Sequence, residues 1–119
     1  MPPIPVPVVG AITGRLVIQS ANVSLAIPPG KQELLLGRED PVSGVFPEIN
    51  LDPYGGQEAG VSRRHARISL QGGGLVVEDL NTVNGTILNR QRLNPGQTMP
   101  LKDGDELRLG KLVLNYHAI

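Results

Sequence analysis

The stretch Gly60-Val61-Ser62-Arg63-Arg64-His65-Ala66-Arg67-Ile68-Ser69-Leu70 carries two messages. Its second half alternates, with Ala66, Ile68 and Leu70 apolar and Arg67 and Ser69 polar. A period of two with a polar opposite face marks a half-buried β-strand. Its first half sets a hydroxyl, two guanidinium groups and an imidazole side by side, from Ser62 to His65, where a long polar loop gives way to that strand. Such a cluster is either the rim of an anion site or an ordinary strand start.

The alternation recurs along the chain. Val23, Leu25 and Ile27 alternate with Asn22, Ser24 and Ala26; Leu107 and Leu109 with Glu106 and Arg108; Leu112, Leu114 and Tyr116 with Val113 and Asn115. No segment sustains a helical period between breakers. The 15 glycines and 11 prolines cut the 119 residues into brief pieces, with explicit turns at Pro28-Pro29-Gly30, Gly72-Gly73-Gly74, Asn94-Pro95-Gly96 and Asp103-Gly104. Many short strands between turn signals predict an all-β fold, a twisted β-sandwich of about ten or eleven mostly antiparallel strands. One connection is long: from Glu39 to Val61 the chain is polar and rich in Gly and Pro, with one candidate strand at Glu48-Ile49-Asn50-Leu51. A long loop in a compact β domain tends to carry function.

The length suits one domain. Residues 1–12, with Met1-Pro2-Pro3-Ile4-Pro5-Val6-Pro7, read as a Pro-rich linker or N-terminal extension, and 13–119 as the domain, a module of a larger protein. Lys+Arg and Asp+Glu both number 11, so broad electrostatic capture of nucleic acid or an anionic membrane is not expected. A local cationic patch needs placement, not net charge. The sequence has no cysteine, which excludes disulfide scaffolds, thiolate zinc sites and cysteine nucleophiles and fits a reducing, cytoplasmic setting. No apolar run approaches a membrane span, and the start lacks the basic flank and apolar body of a signal peptide.

Three segments carry the functional signal. Gly37-Arg38 follows the apolar run Leu34-Leu35-Leu36; Ser62-Arg63-Arg64-His65 comes next; Asp79-Leu80-Asn81-Thr82-Val83-Asn84-Gly85-Thr86 leaves the strand Leu75-Val76-Val77-Glu78. Each lies at a strand end or in a turn. Taken singly, Arg38 beside Glu39-Asp40 reads as a solvated arginine, Ser62 as a turn cap and Asn84-Gly85 as a turn former. Arg63 and Arg64, if extended, point to opposite faces, so one of them at most serves a given ligand. Together the three segments suit a phosphate. A phosphate ester brings about −1.5 to −2 charges and three strong acceptor oxygens. A planar guanidinium such as that of Arg38 donates two bonds to one phosphate and keeps its charge. Ser62 adds a compact donor, and Asn84 has both donor and acceptor for a peptide main chain.

The ordered set of Gly37-Arg38, Ser62-x-x-His65, Asp79 through Asn84-Gly85-Thr86, and Gly104-Asp105 before Leu107-x-Leu109-Gly110 resembles the forkhead-associated (FHA) domain, from about Thr13 to the C-terminus. FHA domains are a recognised instance of reading phosphorylated motifs through arginine clusters. The resemblance implies a non-catalytic signalling module of the SMAD/FHA-like β-sandwich type. Its partner would be a phosphothreonine-containing protein, the product of a Ser/Thr kinase. It implies that Arg38, Ser62 and Arg63 hold the phosphate, that Asn84 holds the peptide backbone, and that Gly37, His65 and Gly85 support the site, with Arg64 solvated. It further implies a preference for threonine over serine through a small pocket for the methyl group. One departure stands out: the residue before Asn-Gly is usually Ser or Thr in the family, and here it is Val83, which offers only its backbone N–H. Thr82 carries a hydroxyl one position earlier and is a further candidate for the phosphopeptide, although alternation turns it elsewhere. A second departure is Asn89-Arg90 where the family often has Asn-Gly.

Other functions fit less well. Ser62, His65 and Asp79 or Asp105 name a hydrolase triad, but Ser and His three apart at a strand start do not share a face, and no Gly-x-Ser-x-Gly elbow is present. Asp40, Glu48 and Asp52 lack the spacing of a calcium loop. Arg63, Arg64, Arg90 and Arg92 suggest nucleic acid, but one phenylalanine and two tyrosines leave few stacking platforms. No cofactor, metal, nucleic acid or membrane is therefore expected. The alternative is a phosphate-independent interaction or self-association module using the same loops.

Overall fold

The computed structural model describes residues 10–118. The Pro-rich run at the start lies outside the described residues, so the linker assignment is not addressed there. Eleven strands follow in order: β1 (Arg15–Ile18), β2 (Val23–Ala26), β3 (Glu33–Gly37), β4 (Ile49–Asn50), β5 (Arg64–Gln71), β6 (Gly74–Asp79), β7 (Thr86–Leu88), β8 (Gln91–Arg92), β9 (Thr98–Leu101), β10 (Glu106–Leu109) and β11 (Leu112–His117). A single-turn 3-10 helix, Asp52–Tyr54, interrupts the long loop after β4. The strands form a six-stranded sheet in the order β2-β1-β11-β10-β7-β8 and a five-stranded sheet in the order β4-β3-β5-β6-β9. Every pairing is antiparallel except the short parallel pair β3–β4. The sandwich expected from period-two alternation is thus what the chain forms.

The core lies between the sheets. Leu16, Ile18, Leu107, Leu109 and Leu114 come from one, and Leu34, Leu36, Ala66, Ile68 and Val77 from the other. The alternating positions named from sequence, Leu107 with Leu109 and Leu112 with Leu114 and Tyr116, all point inward. At roughly 25 cal/mol per Å2 of buried apolar surface, such interdigitated aliphatic layers supply the main stabilisation. The packed body also reaches further upstream than expected. Ile12 is buried, and its N–H donates to the Lys31 carbonyl at 2.7 Å, so part of the segment read as an extension belongs to the core.

One irregularity positions the site. The β3–β5 register shifts at Leu36/Gly37, so that Leu36 faces Ala66 and Gly37 faces Arg64. The extra residue on β5 is His65, and both His65 and Ala66 are buried. A bulge of this kind re-aims side chains at a strand end. Gly37 is required there because a Cβ would collide with the Arg63 carbonyl. The end of β3, the start of β5 and the end of β6 then come together at one end of one sheet. At the β7–β8 turn, Asn89 and Arg90 both adopt positive φ, 48° and 70°, so Arg90 takes a conformation that glycine usually supplies.

Candidate functional site

The site is built from three chain segments leaving adjacent strands. Arg38 leaves β3 with its backbone N–H on the Arg63 carbonyl at 3.1 Å. Its side-chain Nε donates to the Val61 carbonyl at 2.6 Å. That bond locks the guanidinium's position. The terminal amino groups make no hydrogen bond among the described residues, and Nη1 stands 4.0 Å from the Asp52 carboxylate. A half-buried arginine fixed through Nε with its outer donors unspent is prepared for a bidentate anion.

Arg63 is held differently. Residues Asp40 and Val45 exchange backbone hydrogen bonds at 2.9 Å each, closing a small hairpin whose tip is Pro41-Val42-Ser43-Gly44. Arg63 Nη1 reaches this hairpin, donating to Asp40 Oδ2 at 2.6 Å and to Ser43 Oγ at 3.3 Å. The Arg63 bond holds the Asp40 carboxyl below its ordinary range, with a contribution from Ser43. The Arg63 side chain is 55% exposed, so this pair is a solvated latch rather than a buried bridge. A surface hollow of about 390 Å3 opens here, lined by Ser43, Val45, Ser62, Arg63 and Arg64. Arg64, assigned by sequence to solvent alone, is exposed and also borders this hollow.

Beneath these residues lies a buried polar floor. His65 Nδ1 accepts the Ser62 backbone N–H at 2.9 Å, so this nitrogen carries no proton. Nε2 then bears the proton and donates to the Gly85 carbonyl at 2.8 Å. The imidazole therefore ties the Ser62 segment to the Asn84-Gly85 turn. Burial pushes its pKa below the ordinary value, against opposing effects of Gly85 and Asp79. With both nitrogens committed to backbone, His65 has none to accept a proton from the Ser62 hydroxyl, which rules out the Ser62–His65 pair of a triad in this geometry.

Asp79 is the centre of the β6–β7 turn. Its carboxylate accepts the Thr82 N–H at 3.0 Å, the Thr82 hydroxyl at 2.6 Å and the Thr86 hydroxyl at 2.7 Å. Burial acts to raise its pKa, and the Thr82 and Thr86 hydrogen bonds outweigh it, leaving the group below its ordinary value. The Thr82 oxygen also accepts the Gly85 N–H at 3.0 Å. Thr82 was a candidate phosphate ligand; its hydroxyl proton is committed to Asp79. Gly85 takes φ 82°, and a Cβ on it would press on the Arg92 guanidinium, so glycine serves both conformation and space. Asn84 Nδ2 donates to the Gly60 carbonyl at 2.9 Å, while its Oδ1 has no hydrogen bond among the described residues. Val83 stands 88% exposed at the outside of this turn.

Asp40, Glu48 and Asp52, the acidic residues of the long loop, each face a protein group. Asp40 holds Arg63, Glu48 accepts the Leu35 N–H at 2.7 Å, and Asp52 faces Arg38. Among the described residues no His/Cys/Asp/Glu group has a metal-holding arrangement, and no helix is long and apolar enough to cross a membrane. Sequence reasoning missed the work of Asp79 and Asp40. The spacing Asp79-x-x-Thr82, an Asx-type turn signal, was available for the first. The second depends on a contact between residues far apart in sequence.

The fold is thus a β-sandwich that carries Arg38, Ser62, Arg63 and Asn84 on loops at one end of one sheet. The FHA domain family matches residues 34–110, and the chain belongs to it. Similar proteins include Protein FraH from Nostoc, 34% identical over 100 residues, covering 84% of this chain and 34% of FraH. A solved FHA domain of an Arabidopsis thaliana hypothetical protein superposes with a TM-score of 0.70 at 30% identity, covering 92% of this chain and 93% of that one. A structure from a study of phosphothreonine-dependent FHA domain interactions superposes with a TM-score of 0.65 at 28% identity, covering 91% and 98%. The chain thus spans about a third of FraH's length.

Proposed function

We propose that this domain, acting in the cytoplasm, binds a phosphothreonine-containing segment of a partner protein, extended across the loops, and performs no chemistry on it. Arg38, Ser62 and Arg63 take the phosphate, with the Val83 backbone N–H beside them. Asn84 takes the peptide main chain through its unspent Oδ1. His65, Gly37 and Gly85 hold these groups in place, and we assign Thr82 to that bracing set rather than to the ligand.

The observation that carries this is the division of polar atoms. Arg38 has its Nε bound to the Val61 carbonyl and its outer donors unspent, and the hydroxyl of the next residue, Ser62, makes no hydrogen bond among the described residues. Unspent donors gathered on rigid supports suit a multiply charged acceptor, since little ordering entropy remains to be lost. The phosphothreonine-dependent interactions of a similar FHA domain agree with it.

Oriented peptide libraries fixed at phosphothreonine, phosphoserine or threonine test the proposal. Phosphothreonine should be selected, and binding should vanish with phosphatase and weaken as salt rises. Equal capture of unmodified threonine would instead establish the phosphate-independent interaction module.

A further inference from the structure

Among the described residues, the large hydrophobic side chains that stand exposed are Val42, Phe46 and Val83, at 98%, 61% and 88%. Isolated surface apolar residues are ordinary. These three fall on two loops at the same end of one sheet: Val42 and Phe46 on the loop after β3, and Val83 on the loop after β6. Both loops carry proposed ligand contacts, and Ser43 and Val45, which line the hollow, are the chain neighbours of Val42 and Phe46.

Local structure does not explain the valines. Val42 sits at the tip of the Asp40–Val45 hairpin, and Val83 sits in the turn braced by Asp79 and Thr82. Tip positions of this sort favour Ser, Asn, Asp or Gly, whose side chains or backbone freedom serve the turn. A valine there contributes nothing to the turn, and at these exposures its own chain does not cover it. Both turns are held by internal hydrogen bonds, so the side chains are presented on fixed supports.

The sheet order places them on opposite sides of the Ser62-Arg63 segment. β3 and β6 are the neighbours of β5. Ser62 and Arg63 precede β5, with Val42 and Phe46 on the β3 side and Val83 on the β6 side. Adjacent strands are about 4.8 Å apart, so β3 and β6 stand on the order of 10 Å apart. An extended peptide advances about 3.3 Å per residue.

We infer that Val42 and Phe46 on one side and Val83 on the other receive bulky apolar side chains of the partner within about three residues of its phosphothreonine. The ligand is then a phosphothreonine set in an apolar segment, rather than one in an acidic or polar run. This rests on the phosphothreonine reading. It also gives Val83 a positive role: where a hydroxyl would have contacted phosphate, the methyl groups contact a neighbouring side chain.

The test is a peptide panel with central phosphothreonine, in which Leu, Ile and Ser are scanned through the three positions on each side. Affinities are measured for the unaltered protein and for Val42→Ser, Phe46→Ser and Val83→Ser. The Leu-to-Ser preference is read within each variant, so a change in overall affinity does not enter. The unaltered protein should prefer Leu or Ile roughly fivefold to tenfold at one position or more on each side. Val83→Ser should erase the preference on one side only, and Val42→Ser or Phe46→Ser on the other. These exposed changes should leave thermal unfolding unchanged. A flat response to flanking residues, with phosphate dependence intact, overturns this inference alone. Loss of phosphate dependence in the unaltered protein overturns the phosphothreonine reading and this inference with it.

Discussion

The floor and the rim of the site use polar residues in opposite ways. In the floor, His65, Asp79 and Thr86 are buried, and together with Thr82 their side chains are spent on internal hydrogen bonds. In the rim, Arg38, Ser62, Arg63 and Asn84 keep polar atoms unspent or held only by a solvated latch. The contrast separates residues that shape a site from residues that serve a ligand, and residue type alone does not make that separation. Thr82 and Ser62 both carry hydroxyls on loops at this end of the sheet, yet only Ser62 has one that is unspent.

The contrast breaks most sharply at Arg38. Arg38→Ala should weaken phosphothreonine-peptide binding by roughly thirtyfold or more, since losing one partner of a desolvated charge pair costs about 2–5 kcal/mol. Calorimetric titration measures this, and unfolding should stay close to that of the unaltered protein because the rim supports little of the core.

The floor should behave in reverse. Asp79→Ala leaves the Thr82 and Thr86 hydroxyls and the Thr82 N–H without an acceptor. Unsatisfied buried donors cost about 1–3 kcal/mol each before relaxation, so a loss of about 2–4 kcal/mol in urea unfolding is expected. An Asp79→Ala protein as stable as the parent would remove the distinction between floor and rim.

Acidification provides a finer probe of the same floor. The folded-state pKa of His65 lies below its ordinary 6.5, so the unfolded chain binds more protons once pH falls under that value. Its contribution to stability is therefore complete above about 6.5 and is lost as pH falls through the folded pKa. Protonated Nδ1 can no longer accept the Ser62 N–H. Unfolding curves between pH 7 and pH 5 should show this decline, and His65→Phe should flatten it in that window.

The smallest effect belongs to the latch. Asp40 competes with an incoming phosphate for Arg63 through a solvated pair, so Asp40→Ala should tighten phosphopeptide binding by about twofold to fivefold. Weaker binding would mean that the hairpin bound to Arg63 is needed to hold that side chain in place.

How far the sequence could be read follows from the range of each interaction. The alternation of Ala66, Ile68 and Leu70 is local, and so are the turns at Gly72-Gly73 and Asn94-Pro95-Gly96; the sandwich followed from them. The approach of Arg38 to Val61, and of Arg63 to Asp40, spans 23 residues in each case, and no local period encodes it. The burial of Ile12 was hidden for a similar reason: its partner Lys31 lies across the β1–β2 hairpin. His65 was legible as a brace only through family resemblance. Its donor and acceptor roles needed coordinates, because they depend on the bulge that buries it beside Ala66. Val83 was legible as a departure, while its exposure on a braced turn was not.

The most direct measurement is an amide chemical-shift titration with one peptide in its phosphothreonine and threonine forms. The account predicts that the phosphorylated form alone shifts the backbone amides of Arg38, Ser62, Arg63, Val83 and Asn84, while those of Gly72 and Gly73 at the β5–β6 hairpin stay in place. Identical shifts from both forms, or shifts centred away from the Ser62-Arg63 segment, would contradict it.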